Sequence, residues 1–259
     1  MFYFISTVFT SAFLLFMVQP IIAKQILPWF GGSSAVWTTC MVFFQMVLLM
    51  GYGYSDWVVR RLDQRKQAIL HTVLVLISLA WLPILAGDQW KPDPDTEPSV
   101  RILLLLLATV GLPYFLLSTT GPLVQAWVAK THPQIKVYRL FALSNLASLL
   151  SLLCYPPFIE PHVNLKTQAM AWSGLYCLFA LMVIVSVWRT LRAQNSSALD
   201  HSLASVTAQT QAPKRGLVVL WYLLATLGSV LLLSFTNHMT QNIASVPFLW
   251  IVPLVIYLA

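Results

Sequence analysis

Long apolar runs without a single charged side chain are the feature that most constrains this sequence. Residues 1–23 contain no Asp, Glu, Lys or Arg, and neither do residues 102–129. An α-helix needs about 20 such residues to cross the hydrocarbon core of a bilayer, which is about 30 Å thick. A transmembrane β-barrel would instead show alternating segments of about 10 residues. The runs therefore predict an all-α polytopic integral membrane protein.

The composition excludes a soluble protein. Of the 259 residues, 58% are hydrophobic and only 9% are charged, whereas a soluble domain carries roughly 25% charged residues. A net charge of +7 would suggest nucleic-acid binding in a soluble protein, but the sequence has no basic run with interleaved aromatic residues. We therefore expect the surface of the protein to contact the lipid bilayer and to bind no nucleic acid.

The sequence has no pattern typical of metal, haem or redox chemistry. Cys40, Cys154 and Cys177 stand singly within apolar runs and form no CxxC pair. No group of His, Asp and Glu has the spacing of a metal site. His71 and His132 lie near a predicted membrane boundary, and we interpret them as interfacial residues. We expect no cofactor, no metal and no catalytic residue.

The apolar runs predict seven membrane-spanning helices and the start of an eighth. Proline and glycine at 113 and 121–122 are expected to break the fourth helix. Because the eighth run ends without a polar anchor, we expect a truncated second half. The predicted helices are 1–23, 34–55, 67–86, 102–129, 140–159, 167–188, 217–235 and a run from 243 to 259, with a turn-rich loop at 24–33 and a mobile linker at 189–216.

Lysine and arginine residues predict the orientation in the membrane. Loops on the side of the N-terminus carry 11 of them: Arg60, Arg61, Arg65, Lys66, Lys130, Lys136, Arg139, Arg189, Arg192, Lys214 and Arg215. Loops on the other side carry 4: Lys24, Lys91, Arg101 and Lys166. The positive-inside rule places the more basic loops in the cytoplasm. The sequence thus predicts a multi-pass protein of the cell (inner) membrane with a cytoplasmic N-terminus.

The first and fourth predicted helices each contain a proline-containing pair near their end and are each followed by a helix with a carboxamide side chain. A Gln-Pro pair at 19–20 precedes Gln45 of the second helix, and a Gly-Pro pair at 121–122 precedes Asn145 of the fifth. Three helices separate the two units, so their orientations are opposite, and Thr-Asn-His at 236–238 repeats the pattern. Such an inverted repeat is typical of major-facilitator-like carriers. It predicts a first six-helix half at 1–188, a cytoplasmic linker at 189–216 and the start of a second half at 217–259.

Several longer segments carry a family resemblance. The most specific block comprises residues 19–20, 24, 27–28, 31–33, 36–37, 39–45 and 51–52, and residues 120–127, 143–148, 159–161, 236–238 and 246–250 agree with it. In these segments the chain resembles membrane-embedded proteins that are often fused to a spermidine-synthase-like domain. The resemblance implies a major-facilitator-like membrane region. It also implies a synthase-like domain as partner, and the truncated eighth run adds a second membrane half on a continuing or separate chain as a further partner.

Synthase activity is not expected of these residues. They contain no strand, Gly-rich turn and helix unit with a following acidic residue, which a nucleotide-type cofactor pocket would need. We therefore predict that the chain is not an enzyme. Two functions stay open: a transporter-like module for an unknown small solute, and a non-transporting scaffold that anchors or docks a synthase-like partner.

Polar residues within or beside the predicted helices are the candidate site, because polar groups in hydrocarbon are costly and often functional. The candidates for a polar cavity or vestibule are Gln19, Lys24, Gln45, Asn145, Glu160, Asn237, His238 and Gln241. The alternatives are that Asn145 joins helices and that the residues at helix ends anchor loops. We further expect Asp56 to pair with Arg60.

A pair at the outer rim is also predicted. Lys24 and Glu160 should emerge at the same depth and pair directly or through water, with His162 and His238 near the same rim. The alternative is that Lys24 extends alone to the lipid headgroups.

Overall fold

The computed structural model describes residues 2–92, 97–131, 134, 136–197, 215–242, 252–253 and 255–256, and every regular element in them is helical. The helices are α1 (Phe2–Phe30), α2 (Ser34–Arg61), α3 (Gln64–Ser78), α4 (Pro98–Leu106), α5 (Leu112–Thr131), α6 (Tyr138–Cys154), α7 (Leu165–Ser197) and α8 (Arg215–Asn242). A π-helical turn at Leu107–Gly111 joins α4 and α5 into one rod, and a second π-helical turn at Tyr155–Ile159 extends α6.

Six helices of the described residues are long and apolar enough to cross a membrane: α1, α2, the α4–α5 rod, α6 with its π-turn, α7 and α8. The predicted class, an all-α multi-pass membrane protein, is therefore confirmed. With 15 residues, α3 is shorter and ends at Ser78 beside Tyr176 in the middle of α7, and the segment that follows it continues towards the other end of the bundle. Gln67 near its start donates to Leu62 O at 2.7 Å, and the segment after it reaches α1, where Gln25 donates to Ala86 O at 3.2 Å.

The end of α1 lies further along the chain than predicted. The helix continues through Pro28 to Phe30, so the predicted loop at 24–33 shrinks to a three-residue turn. Gly31 adopts φ +80° there, a conformation that suits glycine. Burial of Gln25 against the segment that follows α3 holds the additional helical turns in place.

The third helix was predicted too long. Instead of continuing to residue 86, α3 ends at Ser78 and is followed by a single 3₁₀ turn, Leu79–Trp81. Leu82 then adopts ψ 146°, because the residue before a proline, here Pro83, avoids the helical region.

The predicted break in the fourth helix is wrong. The α4–α5 rod continues through both Pro113 and Pro122. The π-turn at Leu107–Gly111 changes the hydrogen-bond register directly before Pro113, which has no N–H to donate. In apolar surroundings, such local adjustments and neighbouring helices keep a proline-containing helix intact.

The remaining boundaries also differ from the predictions. The first nine residues of the predicted linker, 189–197, belong to α7, and residues 198–214 lie outside the described part of the chain. The residues at 236–238, expected after the seventh helix, lie within α8. Most of the predicted eighth run also lies outside the described residues.

The contacts assign the helix ends to two ends of the bundle. At one end of the bundle α1 and α6 begin and α2 and α5 end, and we call this end the basic end. Thr7 Oγ1 lies 2.9 Å from Ser186 Oγ, so the C-terminal half of α7 also lies at this end. Its described basic residues are Arg60, Arg61, Arg65, Lys66, Lys130, Lys136, Arg139, Arg189 and Arg192.

The packing of α1 differs between its two halves. It is packed against α5, α6 and α7, and residues 17–23, in the half away from the basic end, are all buried. The half near the basic end borders a cavity, although it too has many buried side chains: Phe4, Thr7, Val8, Ser11, Ala12, Leu14 and Leu15. In contrast, α8 makes its main contact with α2, and most of its side chains are exposed.

Candidate functional site: a polar cavity near the basic end

A cavity of about 680 Å³ lies between α1, α2, α5 and α6, in the half of the bundle towards the basic end. Small-molecule sites typically have volumes of about 300–1,000 Å³. The polar residues that line the cavity are Ser11, Tyr52, Ser55, Asp56, Ser118, Gln125, Ser144, Asn145 and Ser148.

Two carboxamides stand on the accessible wall of this cavity. Gln125 on α5 and Asn145 on α6 are half-exposed. Neither makes a side-chain hydrogen bond to the described residues, so their donors and acceptors remain available to a ligand.

The buried serines along the cavity donate their protons to main-chain carbonyls, and Ser55 lies between two of them, because Thr119 O of α5 is 3.2 Å from its Oγ. Ser11 donates to Val8 O at 2.9 Å, Ser55 to Gly51 O at 2.9 Å, Ser118 to Phe115 O at 2.7 Å and Ser148 to Ser144 O at 2.9 Å. Each hydroxyl oxygen keeps acceptor capacity, because it has two lone pairs and one proton.

One charged residue, Asp56, is among the described residues that line the cavity. Arg60 Nε lies 2.8 Å from Asp56 Oδ1, one helical turn further along α2. The predicted local pair is confirmed. Because both side chains are exposed, the pair contributes little stability, but it neutralises the carboxylate at the cavity wall.

Beyond the cavity, three contacts join α1 to α5 and to the segment at the end of α6. We call them the sealing layer: Gln19 with Tyr114, Pro20 with Tyr155, and Lys24 with Glu160. Gln19 Nε2 donates to Tyr114 Oη at 3.3 Å, between buried side chains. Tyr155 Oη lies 3.4 Å from Pro20 O and 3.1 Å from Gln168 Oε1.

The predicted rim pair is correct in its residues but not in its atoms. Lys24 Nζ donates to the main-chain carbonyl of Glu160 at 3.0 Å. No ion pair between the two side chains is present within 4.0 Å in the described structure. His162 follows the π-turn at Tyr155–Ile159 and is exposed.

The other predicted site residues lie apart from this layer. Gln45 is half-buried on α2, does not line the cavity and makes no side-chain hydrogen bond to the described residues. On α8, Gln241 Nε2 donates to Asn237 Oδ1 at 3.2 Å, and Asn242 Nδ2 lies 3.0 Å from His238 Nδ1. These bonds connect neighbouring turns of one helix and do not join α8 to Lys24 or Glu160.

A polar stripe on α3 was missed. His71, expected at the interface, is fully buried, and its Nε2 lies 3.0 Å from Thr120 Oγ1 of α5. One turn earlier, Gln67 Oε1 accepts from Trp127 Nε1 at 3.0 Å. With Gln64 and Ser78, these residues are spaced three, four and seven apart, which is one helix face. That spacing is a signal in the sequence that α3 directs its polar side inward. His132, also expected at the interface, lies outside the described residues.

Comparisons with protein-family models, with curated proteins and with solved structures each found no match. What the site can do is therefore inferred from its geometry, since function resides in the site and not in the fold class.

Proposed function

We propose that the chain is a transporter-like membrane module that binds a small solute in the cavity near its basic end. The observation that carries the proposal is the contrast along α1. In one half Ser11 and Ala12 border the cavity, and in the other half Gln19 and Lys24 make hydrogen bonds of the sealing layer. A site accessible from one side and sealed from the other is one of the two states that alternating access requires.

The helix pairing supports a major-facilitator-like arrangement. The closest packing partners in the described structure are α1 with α6 and α2 with α5. An inverted repeat that relates α1 to the α4–α5 rod and α2 to α6 would exchange these two pairs with each other. The basic residues favour an orientation in which the cavity end faces the cytoplasm.

The exposure of α8 favours the second candidate, a scaffold that docks a synthase-like domain or a second membrane half. Trp221, Leu224 and Phe235 are 53%, 57% and 63% exposed. Lipid covers such a surface as well as protein does. The cavity, with its unpaired carboxamides, is the more specific feature, so we favour transport.

Cysteine labelling distinguishes the two candidates without knowledge of the solute. In a background with Cys40, Cys154 and Cys177 replaced by alanine, Ala12→Cys reports on the cavity and Ala23→Cys on the buried half of the same helix. Ala12 lines the cavity and Ala23 does not, although both side chains are buried, at 7% and 3% exposure. Cells and inverted vesicles are treated with a membrane-impermeant maleimide.

A transporter predicts labelling of Ala12→Cys from the cytoplasmic face and slower labelling of Ala23→Cys from the opposite face. Gln89→Cys, in an exposed 3₁₀ turn at the end opposite the basic end, serves as the control for that face. If Ala23→Cys stays unlabelled while Gln89→Cys reacts, the sealing layer does not open and the scaffold is favoured. Labelling of Gln89→Cys from the cytoplasmic face would contradict the orientation, and labelling of Ala12→Cys and Gln89→Cys from the same face would contradict a cavity that opens at the basic end.

A further inference from the structure

We propose that the cavity binds a small, electrically neutral, polyhydroxylated solute, of the class of sugars and sugar alcohols. This inference rests on the proposed function, because it names the solute class of the same cavity. Three properties of the cavity wall support it: its charge, its balance of hydrogen-bond donors and acceptors, and its volume.

The charge of the wall disfavours an ionic solute. Asp56 is already paired with Arg60 Nε at 2.8 Å, and the described lining contains no Lys or Arg. An anionic solute would therefore find no cationic side chain on the described wall to bind its charge. A cationic solute would have to compete with Arg60 for the one carboxylate.

The serine oxygens require donors on the solute. The protons of these serines are already used, because each hydroxyl donates to main-chain carbonyls: Ser11, Ser118 and Ser148 within their own helices, and Ser55 to Gly51 O and Thr119 O. What they present to the cavity is acceptor capacity. A carboxylate solute, which only accepts, leaves these oxygens unmatched.

The two carboxamides require acceptors as well as donors on the solute. Gln125 and Asn145 each present two N–H donors and one carbonyl oxygen. An ammonium group, which only donates, leaves the N–H donors unmatched. A hydroxyl donates and accepts, so it matches the serine oxygens and the carboxamides at the same time. Several hydroxyls on one solute match the spread of polar groups over α1, α2, α5 and α6.

The volume and the apolar part of the wall fit the same class. About 680 Å³ lies within the range of roughly 300–1,000 Å³ for small-molecule sites. Phe16 and Phe141 also border the cavity, and their rings can contact the C–H groups of a polyol while the polar residues bind its hydroxyls.

Direct binding tests the proposal. The purified full chain in lipid nanodiscs is titrated with tritiated glucose and tritiated mannitol. Tritiated choline and tritiated lactate serve as the cationic and anionic comparisons. We expect saturable binding of at least one polyol and none of the two ions.

Two variants assign the binding to the cavity. Gln125→Leu and Asn145→Leu should each weaken polyol binding about tenfold, since the loss of about 1.4 kcal/mol is a factor of ten in Kd. Gln45→Leu is the matched control, because Gln45 is a half-buried amide that does not line the cavity. Its polyol affinity should equal that of the unmodified protein. Asn145→Ser, which keeps a smaller hydrogen-bonding group at this position, should retain part of the affinity and serves as the second variant where Asn145→Leu folds poorly.

The outcomes separate this inference from the proposed function. No saturable polyol binding, or polyol binding that Gln45→Leu weakens as much as Asn145→Leu does, overturns the solute class. If choline or lactate binds instead and Asn145→Leu abolishes it, the class is wrong and the cavity is still a solute site. The labelling of Ala23→Cys, which needs no solute, decides whether the sealing layer opens.

Discussion

Lys24 of α1 caps the end of α6 by donating from Nζ to the main-chain carbonyl of Glu160 at 3.0 Å. The carbonyl lies directly after the π-turn that Glu160 N closes on Tyr155 O at 2.9 Å. The last carbonyls of a helix have no intrahelical partner, and a cation there is favoured by the helix dipole. The contact thus depends on the lysine and on the backbone, and not on the carboxylate of Glu160.

The two residues of this cap should therefore respond differently to mutation. Lys24→Met removes the donor and should cost about 1 kcal/mol, the range for a cation at a partly buried helix end. Glu160→Gln keeps the carbonyl and should leave the thermal midpoint in detergent unchanged. The charge-swapped double variant, Lys24→Glu with Glu160→Lys, should not recover stability. Recovery by the swap would show instead that the side chains pair.

Gly51 allows α2 to approach α5 beside the cavity. A Cβ at this position would overlap Ser118 Oγ and lie 3.0 Å from Ser118 Cβ, whereas a Cβ at Gly53 would meet nothing within 4 Å. Gly51→Ala should destabilise by about 1–3 kcal/mol, the usual cost of overpacking. Gly53→Ala should be neutral or stabilise by up to about 1 kcal/mol through helix propensity. Thermal unfolding of both variants measures the difference, and equal midpoints would contradict the close approach.

The class of the fold follows from the sequence, and its boundaries do not. Each of the seven predicted helices has a counterpart, because the apolar runs reflect a solvent, lipid, that acts on the whole chain. Helix ends depend on packing that the sequence does not reveal: α1 continues past Lys24 because Gln25 is buried and bonded to Ala86 O. Pro83, in contrast, is a stop signal that the sequence does show. The predicted end at residue 86 followed the apolar run around Pro83 instead of the proline.

The site was harder to predict than the fold. The sequence shows the type of each candidate site residue and its distance from a predicted helix end. It does not show the rotation of each helix, which decides whether a side chain faces lipid, a neighbour or a cavity. Asn145 lines the cavity, while Gln45, of the same chemical kind, does not. The stripe of Gln64, Gln67 and His71 on α3 was readable from its spacing, because polar residues on one face of an apolar helix are expected to face inward.

The hydrogen bond between His71 and Thr120 should contribute to the stability of the bundle. Thr120 Oγ1 donates to Leu116 O at 2.7 Å, so towards His71 it acts as acceptor, and this assigns the Nε2–H tautomer. Thr120→Val leaves that buried N–H without an acceptor and should cost about 1–3 kcal/mol. Thr226→Val is the control, because Thr226 makes the same local bond, to Tyr222 O at 2.8 Å, at an exposed position. Comparable loss of stability in both variants would remove the interhelical bond as the cause.

The bond between Gln19 and Tyr114 should control how often the sealing layer opens. Tyr114→Phe keeps the ring but leaves Gln19 Nε2 without its acceptor in a buried site, a cost of about 1–3 kcal/mol to the closed state. If opening exposes Gln19 to water, the open state does not bear this cost. The rate of labelling of Ala23→Cys from the face opposite the basic end should then rise about tenfold for each 1.4 kcal/mol.

General loosening of the protein is separated from opening of the layer by two controls. Tyr138→Phe removes a hydroxyl at a position that is 62% exposed and should leave the labelling rate of Ala23→Cys unchanged. Ala12→Cys, already at the cavity, should label from the basic face no faster in the Tyr114→Phe background. An unchanged rate at Ala23→Cys, with a thermal midpoint lowered by Tyr114→Phe, would mean that the bond stabilises the bundle without gating it. A rise confined to Ala23→Cys is the result that only a layer that opens can give.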